Sequence, residues 1–252
     1  MFGQNKTVCI AGKNQCSIDF VKYIKTKIPK KNILIIPNKS DKGLDNWQPS
    51  LRKFAKINKY KVCKLNDVYN ISNLIFISIE FETIININKF LSKSLFNFHF
   101  SLLPKFRGCH TNFYQIYNGE KYSGVTLHKI DNGIDTGPII DYLKFEIKKN
   151  TNAYNNYLNL MKNSLKLLKK NFKNLINNKY KSYPQNLKKG SYFSRSSVDY
   201  KKMKKFRVKV INLNEFNRIK AFIFPPMQYP IVNDKQISDI RYYGKKLIIS
   251  HD

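Results

Sequence analysis

The sequence predicts an α/β fold: a mostly parallel sheet with flanking helices, followed by a small appendage of β-hairpins. Two observations carry this. In the first half of the chain, short β-prone runs alternate with segments of helical spacing, the pattern of successive βαβ units. Beyond Tyr180 the composition turns polar, aromatic and basic, and the chain ends in alternating apolar and polar residues around turn formers. A length of 252 residues accommodates a main domain over 1–180 and an extension over 181–252.

Each element follows from its own pattern. Thr7–Ala11 is a short apolar run closed by Gly12-Lys13-Asn14. Residues 17–27 carry Ile18, Val21 and Ile24 at helical spacing. Asn32–Pro37 reads as a buried strand, Leu44–Ile57 as a loop and helix, and Tyr60–Lys64 as a short strand. Asn73–Glu80 (NLIFISIE) is strongly β-prone, Ile84–Leu91 has helical spacing, and Ser94–Phe100 is another strand. Gly124–Ile130 and Pro138–Ile147 are β-like and flank the polar turn 131–137. Across Thr151–Tyr180, Tyr154, Tyr157, Met161, Leu165, Leu168, Phe172 and Leu175 recur at steps of three and four, a long helix for which Thr151 is the expected N-cap. Leu213–Phe222 is a short helix stopped by Pro225-Pro226, and Ile231–Ser250 suggests hairpins around Asn233-Asp234 and Gly244.

Composition narrows the function classes. Hydrophobic residues make up 42% of the chain, yet no apolar run approaches the ~20 residues of a membrane helix. Met1–Gly12 lacks the apolar stretch and small-residue cleavage site of a signal peptide, so it reads as a first strand and the cytoplasm is the expected compartment. Cys9, Cys16, Cys63 and Cys109 are scattered without ligand or disulfide spacing, so reduced, mostly buried thiols and no metal are expected. Lys plus Arg number 46 against 16 acidic residues, a net charge of +30, which attracts polyanions. The excess is Lys-rich and spread along the chain rather than massed on one arm, so it does not by itself make nucleic acid the partner.

The informative stretch is Asn97–Gly137. Asn97 and His99 lie two apart at the end of a strand, so both side chains face one side. In an open parallel sheet that end is where ligands bind. Ser101–Gly108 is too punctuated by Pro and Gly for a helix and reads as an ordered loop over the site, while Asp135 sits between Gly133 and Gly137 in the turn. Transfer of an acyl group to an amine needs a donor for the oxygen that gathers charge and groups that move protons. Asn, His and Asp can supply these without metal. Singly, each has an ordinary explanation: a turn cap, a satisfied core histidine, a turn former.

Taken together, the segments Asn-x-His-x-Ser-Leu-Leu-Pro-x-x-Arg-Gly at 97–108, Gly-x-Thr-x-His at 124–128 and Asp-x-Gly-x-Ile at 135–139 resemble the folate-dependent formyltransferases, with a Rossmann-like domain. The resemblance implies that Asn97 polarises a formyl oxygen, that His99 stabilises that oxyanion or acts as base, and that Asp135 tunes the imidazole. It also implies N10-formyltetrahydrofolate as donor. The pterin would be held by the junction around Phe81, Glu82 and Ile84 and by the turn containing Asp131 and Gly133, largely through backbone groups.

The acceptor is read from three further segments. Gly12, Lys13 and Asn14 precede a helix, where backbone N–H groups favour a phosphate. Trp47 and Gln48 lie in a Pro/Gly loop, where the indole either stacks on a base or anchors the loop. Tyr192-Phe193, Arg218–Phe222 and Phe224–Pro226 are similar to the tail of sugar N-formyltransferases of this family, and the resemblance makes Tyr192 and Arg195 further candidate contacts. The resemblance therefore implies a nucleotide-linked amino sugar, dTDP-4-amino-4,6-dideoxyglucose being the expected acceptor, a product destined for O-antigen or other surface polysaccharide, and a homodimer paired through the C-terminal hairpins. Two other readings compete. One is a methionyl-tRNA formyltransferase with a reduced C-terminal domain, argued from the +30 charge. The other is a non-catalytic nucleotide- or RNA-binding protein on the same scaffold, against which Asn97, His99 and Asp135 stand.

Overall fold

The computed structural model describes residues 5–251; Met1–Gln4, part of the stretch read as a first strand, lie outside the described residues. The strands are β1 (Thr7–Gly12), β2 (Ile33–Pro37), β3 (Lys61–Val62), β4 (Leu74–Ile79), β5 (Leu95–His99), β6 (Arg107–Gly108), β7 (Tyr122–Lys129), β8 (Ile139–Glu146), β9 (Tyr192–Phe193), β10 (Lys205–Phe206), β11 (Ile231–Val232), β12 (Lys235–Tyr243) and β13 (Lys246–His251). The α-helices are α1 (Asn14–Ile24), α2 (Leu51–Ile57), α3 (Thr111–Tyr117), α4 (Ala153–Ile176), α5 (Tyr200–Met203) and α6 (Leu213–Ala221). The chain divides into two compact units: Met1–His99 with Val125–Leu143 and Lys162–Leu187, and Phe100–Gly124 with Lys144–Met161 and Lys188–Asp252.

A seven-stranded sheet of order β3-β2-β1-β4-β5-β7-β8 lies mainly in the first unit. The β3-β2-β1-β4-β5 pairings are parallel and β7 runs antiparallel to β5. All residues of β2 and β4 are buried, as expected of parallel strands covered on both faces. Burial of each such Ile, Leu or Phe contributes roughly 1.5–3 kcal/mol. Within this unit α1 meets the second half of α4: Cys16 Sγ lies 2.9 Å from Ser164 Oγ, and the Tyr23 and Phe172 rings meet edge to face. Cys9, Cys16 and Cys63 are buried free thiols, and burial pushes the Cys9 and Cys16 thiols well up from the ordinary range.

The second unit carries a four-stranded sheet, β10-β11-β12-β13, in which β11, β12 and β13 form the expected antiparallel hairpins. Asn233 and Asp234, at φ 46° and 65°, make the β11–β12 turn, the left-handed pair that a type I′ turn requires. Helix α6 packs on α3, with the Phe222 ring edge-on to Phe113 at 4.9 Å.

Two expectations are corrected. Ile84–Leu91 is no helix beyond a single 3-10 turn at Ile87–Lys89, because the Asn86 side chain accepts from the Asn88 N–H and offers the backbone a turn instead. The N-cap of α4 is Asn152, not Thr151: Asn152 Oδ1 accepts from the Asn155 N–H at 2.8 Å. Helix α3 was not expected, since TNFYQIY is aromatic-rich and looks β-prone; it is helical with Phe113, Tyr114 and Ile116 buried.

Candidate active site

Asn97 stands in the middle of a row set by strand register. Ser78 on β4 is its partner on one side and His128 on β7 its partner on the other. Adjacent strands lie about 4.8 Å apart, so the three side chains meet. Ser78 Oγ donates to Asn97 Oδ1 at 2.9 Å, which turns the Asn97 amide nitrogen the other way. Its two hydrogens then go to His128 Nε2 and to Asp135 Oδ1, both at 3.1 Å. Because Nε2 of His128 accepts, its proton sits on Nδ1, which donates to the Lys129 carbonyl at 2.8 Å.

His99, two residues on, faces the same side. Its Nδ1 lies 3.4 Å from Asp135 Oδ2, and the two side chains are only 8% and 12% exposed. With the Nδ1 hydrogen directed at the carboxylate, Nε2 is the ring nitrogen left to exchange a proton. Asp135 thus serves His99 with one oxygen and Asn97 with the other.

The turn that carries Asp135 is held on several sides. Asp131 accepts from the Gly133 N–H at 3.1 Å and from the Thr136 hydroxyl at 2.8 Å. A Cβ on Gly137 would stand 1.8 Å from the Lys129 carbonyl oxygen, so only glycine lets the turn return against β7. Asp135 itself has φ 55°, a left-handed conformation that a side chain disfavours.

The other sequence-derived candidates fall into three places. In the first unit, Gly12, Lys13 and Asn14 lead into α1, where the Gln15 N–H donates to Gln48 Oε1 at 3.2 Å. The β1 loop and the loop holding Trp47 and Gln48 are thereby brought together, and Trp47 is half-buried. Around Phe81, the Glu82 carboxylate accepts from the Ser40 N–H at 3.1 Å and the Ser40 hydroxyl at 2.7 Å. Burial pushes the Glu82 carboxyl up, but the Ser40 bonds, the Lys39 N–H and the charge of Lys13 outweigh it and hold the group below its ordinary value. Phe81 packs on Phe76, and Ile84 is 73% exposed. In the second unit, Tyr192 lies in β9, paired with Arg107 of β6, and the Arg195 carbonyl accepts from His110 Nε2 at 2.8 Å.

Three polar residues of the cluster had no assigned role in the sequence: Ser78, His128 and Gln185, whose Nε2 donates to the carbonyls of Asp135 and Gly137 at 3.0 and 2.7 Å. His128 was present in the quoted Gly-x-Thr-x-His segment, which was a usable signal. Among the described residues no group of His, Cys, Asp and Glu could hold a metal ion, and no helix is long and apolar enough to cross a membrane.

The family model described as formyl transferase matches residues 81–169. The chain is similar, at 42% identity and a TM-score of 0.89, to WlaRD, a sugar 3N-formyl transferase solved in the presence of dTDP and 5-N-formyl-THF, over 99% of this chain and 95% of that one. It is similar, at 39% identity and a TM-score of 0.88, to an N-formyltransferase from Helicobacter canadensis solved with folinic acid and dTDP-3-aminofucose, covering 98% and 96% of the two chains. A methionyl-tRNA formyltransferase of Thermodesulfovibrio yellowstonii is 33% identical over 136 residues, 48% of this chain and 44% of that protein's length. The chain thus spans less than half of that curated relative, and almost all of the two sugar enzymes. It belongs to the formyl transferase family.

Proposed function

We propose that the protein moves the formyl group of N10-formyltetrahydrofolate to the amine of a nucleotide-linked amino sugar. The observation that carries this is the cluster in which one carboxylate, Asp135, touches both the Asn97 amide and the His99 imidazole. Its donor set suits acyl transfer: an amide N–H for an oxygen that gathers negative charge, and an imidazole lone pair for an amine proton. The folate, when bound, supplies the activated formyl group. His99 takes the proton of the attacking amine on Nε2 and gives it to the folate nitrogen, which leaves as its bond to the formyl carbon breaks, while Asp135 stabilises the intervening imidazolium through Nδ1. Asn97 exchanges one of its two present acceptors for the formyl oxygen. The turn containing Asp131 and Gly133 and the Phe81–Ile84 junction are the proposed pterin contacts. The β1 loop with Trp47 and Gln48 is the proposed nucleotide contact.

The two sugar enzymes at 42% and 39% identity support a dTDP-linked acceptor, and their names favour an amine at C-3 of the sugar rather than at C-4. The proposed setting is surface-polysaccharide synthesis in the cytoplasm by a dimer joined at the β12–β13 hairpin, where Tyr243 and Ile248 are exposed. The methionyl-tRNA reading has the curated match and the +30 charge in its favour, but that match spans less than half of the tRNA enzyme.

The test is tetrahydrofolate release, followed by absorbance, with a dTDP-3-amino sugar, dTDP-4-amino-4,6-dideoxyglucose and charged methionyl-tRNA offered separately. Turnover with the 3-amino sugar that His99→Asn abolishes is expected. Turnover with the 4-amino sugar alone moves the acceptor position, turnover with the tRNA alone overturns the acceptor class, and silence with all three overturns the enzyme reading.

A further inference from the structure

The turn from Asp131 to Gly137 must keep Asp135 in a left-handed conformation, φ 55°, which persists only where the surroundings impose it. Asp131 ties down Gly133 and Thr136, but neither bond reaches the Asp135 backbone. Gln185 does. Its Nε2 places one hydrogen on the Asp135 carbonyl at 3.0 Å and the other on the Gly137 carbonyl at 2.7 Å, bracketing the turn's last residues. Gln185 is itself anchored two residues away, where Tyr183 and Ile139 exchange both backbone hydrogen bonds at 2.8 Å.

We infer that Gln185 is a positioning residue for Asp135: it fixes the backbone from which the carboxylate reaches His99 and Asn97. For its catalytic consequence this rests on the transferase reading above. The side chain has one workable orientation, because turning the amide over would press Oε1 against two carbonyl oxygens. In the orientation adopted, Oε1 is buried and has no hydrogen-bond partner among the described residues. An unpaired buried acceptor costs stability, so a residue there only to fill space would better be apolar. What the amide alone offers is two donors on one nitrogen, spaced for two carbonyls.

The test compares Gln185→Ala and Gln185→Glu with the wild type in kcat, acceptor KM, thermal unfolding and amide hydrogen exchange over residues 131–137. Gln185→Ala is expected to lower kcat about 10–100-fold, the scale of a catalytic group displaced by about 1 Å, and to leave acceptor KM unchanged. Exchange in the turn should speed up about tenfold while the rest of the chain keeps its protection. In Gln185→Glu the ionised carboxyl faces two carbonyls, whereas the protonated one can donate to one of them. Its kcat relative to wild type should therefore recover as pH falls. Unchanged kcat with unchanged exchange in the turn overturns the inference, and so does a loss of kcat accompanied by faster exchange throughout the chain. If the wild type transfers no formyl group to any acceptor, the transferase reading fails instead, and exchange in the turn alone decides whether Gln185 holds it.

Discussion

Replacing Asp135 by Asn isolates the charge at the centre of the site. Asn is nearly the same shape and is among the residues that best tolerate a left-handed backbone, so the turn at φ 55° should survive. The carboxylate stands 3.4 Å from His99 Nδ1. An imidazolium and a carboxylate at that separation attract by about 5 kcal/mol at an effective dielectric of about 20. The substitution also reverses a hydrogen bond. The amide oxygen of the new side chain must accept from Asn97, which directs its N–H2 at His99 Nδ1. That nitrogen must then accept, the ring proton moves to Nε2, and the lone pair leaves the position from which it would take the amine proton. Loss of both effects predicts a fall in kcat of about 10³–10⁴-fold, with the melting temperature close to that of the wild type. The assay is steady-state tetrahydrofolate release alongside thermal unfolding. A folded Asp135→Asn variant within about tenfold of wild-type kcat, less than 1.4 kcal/mol of barrier, would show that the carboxylate charge is not what His99 depends on.

Two more outcomes follow from the same contacts. Ser78→Ala removes the 2.9 Å bond that orients the Asn97 amide; a net hydrogen bond of about 1 kcal/mol corresponds to a loss of kcat of roughly 5–10-fold, read by steady-state kinetics with both substrates saturating. Lys220 is buried on α6 with its ammonium on the Lys149 carbonyl at 2.7 Å, and burial lowers its pKa from 10.5 to about 8. Between these values the unfolded chain binds the proton and the folded chain does not, so wild-type stability gains with rising pH relative to Lys220→Met, and below pH 8 the variant is the more stable by about 2 kcal/mol after allowing for the lost hydrogen bond. Denaturant midpoints of the two proteins at pH 7 and pH 10 check this, and a gap that does not narrow refutes it.

The sheet was legible in the sequence because its strands are buried on both faces and read as continuous β-branched runs: NILIIP and NLIFISIE became β2 and β4 almost residue for residue. The hairpins were legible because Asn233-Asp234 can adopt the required left-handed turn. Helix α3 was not, because its seven residues are too few to show a period and its stability comes from Phe113 and Phe222 packing together. The candidate site divides in the same way. Asn97 and His99 could be placed on one face from strand periodicity alone. Ser78 and His128 could not, since they reach Asn97 through register between strands distant in sequence. Gln185 lies fifty residues beyond the turn it holds, in a polar stretch with no local pattern.

In the proposed reaction, the arrangement around Asn97 also sets what must change when substrate arrives. Its amide nitrogen has two hydrogens, and both are engaged at 3.1 Å, one by the Asp135 carboxylate and one by neutral His128 Nε2. A formyl oxygen can be served only if one of these bonds gives way. A hydrogen bond to an ionised acceptor is about twice as strong as one to a neutral acceptor, so the His128 bond is the one exchanged. His128→Phe should then leave one Asn97 donor unpaired in the free protein and paired in the complex. The expected result is a loss of stability of about 1–3 kcal/mol, a KM for the folate no higher than that of the wild type, and a kcat reduced less than about tenfold, against a loss of about 10²–10³ for Asn97→Ala. Both variants are measured by steady-state kinetics and denaturant unfolding. Equal losses of kcat in the two would mean that His128 acts on the reacting atoms itself, and that the Asn97 donor yielded to substrate is the one now held by Asp135.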